Sequence, residues 1–378
     1  MTSGIPRPPR RNLAMARAVA LVAVAVSVSV GVGAAAMAGL GGQGTPTTNA
    51  NERAFATIET DLASQPPASI PATGAPATGP PLRVSPTPEA SSLPARPATR
   101  DDPVPSDLHP TLADASEDYP APYFDRCHTG QSGNPSGVTC LYGDLTSSTT
   151  IALFGDSHAL SWFPAVERVA EREGWRLLSL TMSTCSPADI PIWDSTLTHV
   201  NTACAAWRAS AIKRLVKERP AVILVAGTRG FAAAATPGTA LVGDARVRQW
   251  EAGMQRTLAR LVGAAGNVIV IADTPLSLVD PPVCLAQHST SSLACATPVG
   301  RAINATWLRV ERDAAVRAGA GFIDPALWVC PSSPCPVVIG KVLVYRNPGH
   351  LTAVFAATLA VRLENAILRE MAKPRRPA

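Results

Sequence analysis

The stretch "TTIALFGDSHALSWFPAVERV", residues 149–169, joins a strand pattern to a helix pattern through a short polar turn. Its first six residues are β-branched or apolar, which is typical of a buried strand. After the turn Gly155-Asp156-Ser157-His158, apolar residues recur three residues apart, as on one face of a helix. The stretch therefore predicts a strand followed directly by a helix, with Ser157 at the junction.

The same alternation of strands and helices continues from about residue 121 to 370. Strands are predicted at 149–154, 176–181, 221–227, 267–273 and 321–324. Helices are predicted at 159–173, 203–218, 245–264, 300–318 and 352–370, the last capped by Thr352. Val/Ile/Leu-rich strands separated by helices predict an α/β fold whose mainly parallel sheet is covered on both faces. Ligands bind such sheets at the carboxyl ends of the strands, where Ser157 lies.

The N-terminal 40 residues have the charge pattern of an export or anchoring segment. Residues 1–17 carry four arginines and no acid, and the 23 residues at 18–40 carry no charge. About 20 apolar residues span a bilayer, so we predict a transmembrane anchor at 18–40 behind a cytoplasmic basic segment. The alternative is a cleaved signal peptide ending at Ala36-Met37-Ala38, which would give a secreted protein. Either hypothesis places the rest of the chain outside the cytoplasm.

Residues 41–120 are predicted to be a disordered linker, and 371–378 a basic tail. Thirteen of the 36 prolines fall between Pro66 and Pro110, mixed with Ala, Thr and Ser. Such a composition buries too little apolar surface to fold. The net charge of +5 comes from the two basic ends of the chain. The sequence between them has no basic stripe interleaved with aromatic residues. Nucleic acid is therefore not an expected partner.

All eight cysteines lie in the predicted domain. An even number of cysteines in an exported domain indicates disulfides, and no C-x-x-C pair suggests a metal site. Eight cysteines permit 105 pairings. We predict pairing between sequence neighbours, because each bond would close one loop: Cys127–Cys140, Cys185–Cys204, Cys284–Cys295 and Cys330–Cys335.

Ser157 is the candidate nucleophile. A serine at a strand-to-helix turn is exposed for attack, and N–H groups at the helix start can stabilise an oxyanion. The alternative is that Ser157 only caps the helix. A nucleophilic serine needs a base, and His350 lies in a turn before the last helix, where it could reach across. The alternative for His350 is a capping or surface role, and the ring of His158 is expected to point elsewhere.

Several motifs resemble the SGNH (GDSL-like) hydrolase superfamily, and more closely the SGNH domain fused to acyltransferase-3-type membrane acyltransferases. The resemblance covers about residues 121–370. It rests on motifs in matching order: "FGDSH" at 154–158, "YGD" at 142–144, "TMSTCSP" at 181–187, "CAAW" at 204–207, "ADTP" at 272–275, "DPALWVCP" at 324–331 and "YRNPGHLT" at 345–352. It implies a flavodoxin-like three-layer sandwich, with Ser157 as nucleophile and His350 as base.

Two departures from the family pattern affect the expected chemistry. The aspartate of the family's D-x-x-H motif is Asn347 here, so His350 lacks a charged partner unless Asp273 or Asp324 replaces it. The family's G-x-N-D block is also absent, because "VAGTRG" has no asparagine. The N–H of Ser157 is then one expected oxyanion donor, with Ser183 or Thr228 as others.

The resemblance implies an exported serine O-acyltransferase or acylesterase acting on cell-envelope glycans or glycolipids. No cofactor or metal is expected. The acyl donor would come from a separate membrane acyltransferase or a small ester, because this chain carries one predicted span instead of a multi-span body. The alternative, based on Asn347, is a non-catalytic SGNH domain that binds envelope glycan or partners a membrane acyltransferase.

Overall fold

The computed structural model describes residues 101–130, 140–194, 199–229, 234–236, 239–240 and 243–374. Its strands are β1 (His128–Thr129), β2 (Leu141–Gly143), β3 (Thr150–Gly155), β4 (Arg176–Met182), β5 (Trp193–Asp194), β6 (His199–Val200), β7 (Val222–Ala226), β8 (Ala234–Thr236), β9 (Thr239–Ala240), β10 (Asn267–Ile271), β11 (Gly321–Ile323), β12 (Val338–Ile339), β13 (Val342–Leu343), β14 (Tyr345–Asn347) and β15 (His350–Leu351).

The α-helices surround these strands. They are α1 (Ser157–Ser161), α2 (Phe163–Glu173), α3 (Thr202–Glu218), α4 (Gly243–Val262), α5 (Pro281–Gln287), α6 (Val299–Ala302), α7 (Ala305–Arg317), α8 (Ala326–Val329), α9 (Ala353–Thr358) and α10 (Ala360–Met371). Short 3-10 helices occur at Ala115–Glu117, Ala121–Tyr123 and Ser292–Cys295.

A parallel sheet forms the centre of the domain, in the strand order β1-β4-β3-β7-β10-β11. β2 adds to β4 in the antiparallel direction. β3 lies between β4 and β7, so that Gly155 pairs with Thr181 on one side and Ala226 on the other. The predicted parallel sheet is confirmed, and the carboxyl ends of β3, β4 and β7 lie beside the Ser157 turn.

Helices cover both faces of the sheet, which gives three layers. Along β3, Ile151 and Leu153 join the core on one face, while Ala152 and Phe154 join the core on the other. The first core includes apolar residues of α2 and α10, and the second includes those of α3, α4 and α7. Fully burying one large apolar side chain contributes about 1.5–3 kcal/mol, so these two cores hold the sheet rigidly.

Two predicted helices are each divided into two shorter helices, and the residues at each break explain the division. The helix predicted at 159–173 starts at Ser157 and is divided at Trp162, ahead of Pro164, which has no N–H for the helix ladder. The helix predicted at 300–318 is divided because the Asn304 side chain accepts the N–H of Trp307 and begins a new helix. The predicted cap at Thr352 is found, accepting the N–H of Phe355.

The folded part begins earlier than the boundary predicted at residue 120. The side chains of Leu108 and Ala115 are buried in the core, and His109 exchanges backbone hydrogen bonds with Lys341 and Leu343. Asp118 accepts the N–H of Val354 at the start of α9. Residues 101–120 are therefore part of the domain. Apolar residues between the prolines are buried there, and the segment is hydrogen-bonded to residues 341–354. The remaining predicted linker, 41–100, lies outside the described residues.

Four disulfides close short loops of the domain. They join Cys127–Cys140, Cys185–Cys204, Cys284–Cys295 and Cys330–Cys335, which are the four predicted pairs. Disulfides of this kind are typical of domains outside the cytoplasm. The predicted anchor at 18–40 lies outside the described residues, and no helix within those residues has the length and apolarity to cross a membrane.

Candidate active site

The turn after β3 fixes the position of Ser157. Gly155 has a φ of +154° and approaches β7 so closely that a Cβ would lie 1.8 Å from the Ala226 carbonyl oxygen. Only glycine fits this position. The N-cap of α1 is Asp156, whose side chain accepts the N–H groups of His158 and Ala159. Ser157 is thus the first residue of the helix, and its hydroxyl is not used as the cap.

Asp156 also joins the Ser157 turn to the end of β7. Its Oδ2 accepts the N–H of Thr228 at 2.8 Å, and the carboxyl is fully buried. A Cβ at Gly227 would lie 2.9 Å from that oxygen, so the close approach requires glycine. Burial raises the pKa of Asp156 to about 6, although His158 and the two backbone donors lower it. Asp156 holds the Ser157 turn through three backbone N–H groups.

Ser157, His350 and Asn347 form a continuous hydrogen-bonded triad. His350 Nε2 lies 2.9 Å from Ser157 Oγ, and His350 Nδ1 lies 2.9 Å from Asn347 Oδ1. The β14–β15 hairpin brings this base to the serine, 193 residues away in sequence. The structure therefore brings together the predicted nucleophile and base, with Asn347 at the position of the usual acid.

The hydrogen bonds of Asn347 set the tautomer of His350. Asn347 Oδ1 also accepts the backbone N–H groups of Gly349 and His350, at 3.1 and 3.0 Å. Two fixed donors at this atom identify it as the oxygen, which can only accept. The His350 Nδ1 must then carry a hydrogen, and Nε2 of the neutral ring is left to accept the proton of Ser157.

The surroundings of His350 favour its neutral form. Burial lowers its pKa well below the usual value, and the positive charges of His158 and Arg346 lower it further. The carboxylate of Asp273 raises the pKa but does not outweigh these effects. An uncharged Asn347 adds no compensating negative charge. His350 is therefore available as a base even below neutral pH.

Neither predicted substitute acid contacts His350. Asp324 forms an ion pair with Arg312 at 3.7 Å and accepts the N–H of Ala326. Asp273 binds His158, with 2.7 Å between its Oδ1 and His158 Nδ1. The hypothesis that one of these carboxylates orients His350 directly is wrong, because both are committed to other partners.

His158 is a site residue that the sequence interpretation missed. Its ring was expected to point elsewhere, but it packs beside the ring of His350 with 4.8 Å between centroids. Asp273, which holds it, lies just beyond β10, and Arg229 binds the other carboxylate oxygen with its N–H and Nε. The signals available were the aspartate of "ADTP" at a strand end and a histidine in the first turn of α1.

Membership in a known family follows from a match with one family model. The model described as "SGNH domain (fused to AT3 domains)" matches residues 126–365. The chain belongs to this SGNH family. A comparison with curated proteins gives no match.

Solved structures similar to this SGNH chain share little sequence with it. The lipopolysaccharide acetyltransferase periplasmic domain of Salmonella ser. Paratyphi A has 16% identity and a TM-score of 0.49, covering 69% of this chain and 98% of that one. A carbohydrate esterase family 2 enzyme of Corynascus thermopiles has 14% identity, a TM-score of 0.37, and coverages of 60% and 68%. The aryl esterase of M. smegmatis has 16% identity, a TM-score of 0.37, and coverages of 59% and 99%.

The predicted oxyanion donors of the SGNH domain are only partly available. The N–H of Ser183 donates to the Thr129 carbonyl, and that of Thr228 donates to Asp156. These two amides are therefore not free to act as oxyanion donors, and of these two residues only the side-chain hydroxyls of Ser183 and Thr228 stay predicted for that role. The Ser183 hydroxyl lies 2.9 Å from His128 Nε2. The Ser157 N–H at the start of α1 stays a predicted donor.

Arg229 stands two residues after Gly227, at the asparagine position of G-x-N-D. Its side chain points into the protein interior. There the guanidinium pairs with Asp273, and its Nη1 lies 3.7 Å from Glu311 Oε2. Burial raises the pKa of Glu311 to about 8, although Arg229 lowers it. Arg229 thus supports Asp273 and takes no part as an oxyanion donor through its guanidinium.

Arginine and aromatic side chains lie on the other flank of the hairpin. Arg346 precedes Asn347 and stacks over Tyr119, 4.2 Å from the ring centroid, and near Tyr123 at 5.5 Å. Tyr123 packs on His128, whose pKa is lowered to about 4 by burial and by Arg346. Within the described residues, no group of three or more His, Cys, Asp or Glu side chains could hold a metal ion.

Proposed function

We propose that this chain is an SGNH-type O-acyltransferase or acylesterase that works through a serine acyl-enzyme. The hydrogen bond of 2.9 Å between Ser157 Oγ and His350 Nε2 carries this proposal. Family membership and the fixed turn around Ser157 support it, because a nucleophilic serine needs an exposed position and a base within hydrogen-bond distance.

The triad allows both halves of an acyl transfer. Neutral His350 takes the proton of Ser157 while Oγ attacks the acyl carbonyl, and the resulting imidazolium gives that proton to the leaving oxygen. An acceptor hydroxyl then enters, His350 removes its proton, and the new oxygen attacks the acyl-serine. Collapse of this second intermediate breaks the bond to Ser157 Oγ, which takes the proton back. Water in place of the acceptor gives hydrolysis.

Asn347 holds the His350 ring but stabilises its charged form poorly. A carboxylate at this position would offset the imidazolium charge in each half-reaction, whereas an amide oxygen offers only a dipole. In serine proteases the comparable change lowers kcat about 10⁴-fold through the wrong histidine tautomer; Asn347 holds the productive tautomer, so the loss here should be smaller. We therefore expect a slow enzyme whose turnover is limited by proton transfer at His350.

Envelope glycans or glycolipids are the proposed acceptors. The family is described by its fusion to AT3 domains, which implies acyl donors supplied at a membrane. Four disulfides favour a location outside the cytoplasm, where envelope sugars are available. The donor would be a separate membrane acyltransferase or a small ester. A single-pass anchor at 18–40 would hold the domain at the membrane, and a cleaved signal would release it.

A second candidate function is glycan binding, or partnership with a membrane acyltransferase, without catalysis. Asn347 is the observation that favours it, because the triad lacks its usual carboxylate. The geometry around Ser157 is the same under both hypotheses. Covalent labelling separates them, because only an activated serine reacts with an electrophilic probe.

The test is labelling of the full chain with a fluorophosphonate, together with hydrolysis of p-nitrophenyl acetate. We expect labelling at Ser157 and slow ester hydrolysis, both abolished in Ser157→Ala. Ser161→Ala is the matched control, because Ser161 lies one helical turn further along α1 and its hydroxyl donates to the Ser157 carbonyl, away from His350. Folded protein that is neither labelled nor active would refute the enzyme and leave the binding function.

A further inference from the structure

The triad leaves a second histidine–carboxylate pair at the site unused. The Asp273 side chain is buried and that of His158 is 11% exposed, and 2.7 Å separates His158 Nδ1 from Asp273 Oδ1. The ring of His158 lies against the ring of His350, with 4.8 Å between centroids and 59° between planes. A largely buried, carboxylate-paired histidine beside the proposed base requires a physical explanation.

Hydrogen bonds fix the state of Asp273. Its Oδ2 accepts the N–H and Nε of Arg229, at 3.2 and 3.3 Å, and its own N–H donates to Glu311 Oε1 at 3.2 Å. Burial raises the pKa of Asp273, but His158 and Arg229 outweigh this and lower it. Asp273 is therefore a carboxylate, and the nitrogen of His158 that faces it carries a hydrogen.

His158 is the histidine of the pair that holds a proton more strongly. Burial lowers its pKa, but the charge and hydrogen bond of Asp273 outweigh this and raise it. His350, whose partner is the neutral Asn347, has the opposite shift. A proton taken up between the two rings thus resides on His158, and its charge opposes a second proton on His350.

The hairpin turn is shaped around the ring of His158. A Cβ at Gly349 would lie 3.4 Å from His158 Nε2 and 3.5 Å from its Cε1. Those are ordinary van der Waals distances, so the turn that carries His350 packs directly against the ring of His158. The two histidines therefore keep a fixed separation.

The other groups that act on His350 come from three further elements. Arg346 of β14 and His128 of β1 disfavour the imidazolium, and Asp273, beyond β10, favours it. Asn347 of β14 contributes a neutral acceptor. His158 of α1 has the largest charge effect among them, after burial.

We propose that the His158–Asp273 pair is a positioning element for the catalytic base, which packs against His350 and keeps it in the neutral form that accepts the Ser157 proton. This inference rests on the proposed function for the role of His350. It assigns His158 no contact with substrate. Its consequence is a site that stays active in acidic surroundings, where an ordinary histidine base is lost to protonation.

The test measures the protonation of His350 directly, by titrating the 13C-labelled histidine Cε1 signals of the full chain. In His158→Asn the amide can still donate to Asp273, but the ring and its charge are gone. We expect the midpoint of His350 to rise by about one pH unit, as for removal of a nearby unit charge. The acid limb of p-nitrophenyl acetate hydrolysis should move upward by the same amount.

His288→Asn is the matched control, because His288 is exposed and lies at the end of α5. It should leave the midpoint of His350 unchanged. If His158→Asn does not fold, His158→Gln gives the same comparison. A midpoint of His350 that stays in place or falls in the folded variant overturns the inference. The NMR midpoint does not depend on turnover, so an inactive protein would refute the proposed function without deciding this one.

Discussion

Asn347 is the residue whose replacement most directly tests the triad. All three donors that bind it converge on Oδ1, at 2.9–3.1 Å, and a carboxylate oxygen of Asp would accept the same three hydrogens. Asn347→Asp should raise the pKa of His350 and stabilise its imidazolium in the transition state. We expect kcat for p-nitrophenyl acetate to rise about 10- to 1,000-fold, less than the roughly 10⁴-fold effect of the protease change, because His350 already has the productive tautomer.

The pH dependence of Asn347→Asp has a defined sign. A base with a raised pKa loses its neutral form at higher pH, so the acid limb of kcat/KM should move upward while the plateau rises. Asn347→Asp with Ser157→Ala is the control, and it should be inactive for lack of a nucleophile. An unchanged plateau in the folded single variant would contradict proton transfer at His350 as the limiting step.

Sequence could predict Ser157 but not the direction of the His158 side chain. The turn at Ser157 follows from a local pattern of apolar residues, and its partner His350 followed from a family motif. The orientation of His158 depends on Asp273, which is 115 residues away, and on packing against the turn at Gly349. Such a contact leaves no local periodicity in the sequence, so the direction of the ring is not predictable from neighbouring residues.

Among the elements, the segment before the first strand differs most from expectation. The strands were predictable because runs of Val, Ile and Leu are intrinsically strand-like and their bounds follow the apolar residues. Residues 101–120 instead have the composition of a linker, and their order depends on long-range contacts. The Leu108 side chain is buried in the core, with 4% of its surface exposed, and Asp118 accepts a hydrogen bond from the start of α9. Composition alone cannot report such contacts.

The buried segment predicts a measurable contribution to stability. Leu108→Ala should lower the free energy of unfolding by about 2–5 kcal/mol, through lost burial and a residual cavity. For a domain of this size, that corresponds to a fall in Tm of about 4–20 °C. Leu145→Ala is the matched control, since Leu145 is 61% exposed and its truncation should change stability by less than about 0.5 kcal/mol.

Thermal unfolding followed by circular dichroism measures both leucine variants. Equal shifts in Tm for the two would contradict a packed segment and restore the domain boundary near residue 120. A fall confined to Leu108→Ala would place the start of the cooperative unit at or before Leu108.

Across the whole molecule, four disulfides support a domain that also has two apolar cores. The bonds close loops with sequence separations of 13, 19, 11 and 5 residues. Loop entropy alone assigns each about 2–3 kcal/mol, rising slowly with loop length. The cores on the two faces of the sheet supply the rest of the stability, so loss of one bond should weaken the domain without abolishing its fold.

The loop lengths predict an order among the disulfides. Replacing Cys185 and Cys204 by serine should lower Tm more than replacing Cys330 and Cys335, because the first pair closes the longest loop and the second the shortest. All four sulfurs are buried, so the lost packing is similar in both double variants. The expected difference is about 1 kcal/mol, or about 2–4 °C in Tm. Non-reducing peptide mapping checks that the other bonds stay in place. A larger loss for the Cys330–Cys335 pair would mean that this bond stabilises the folded state by more than closing its loop.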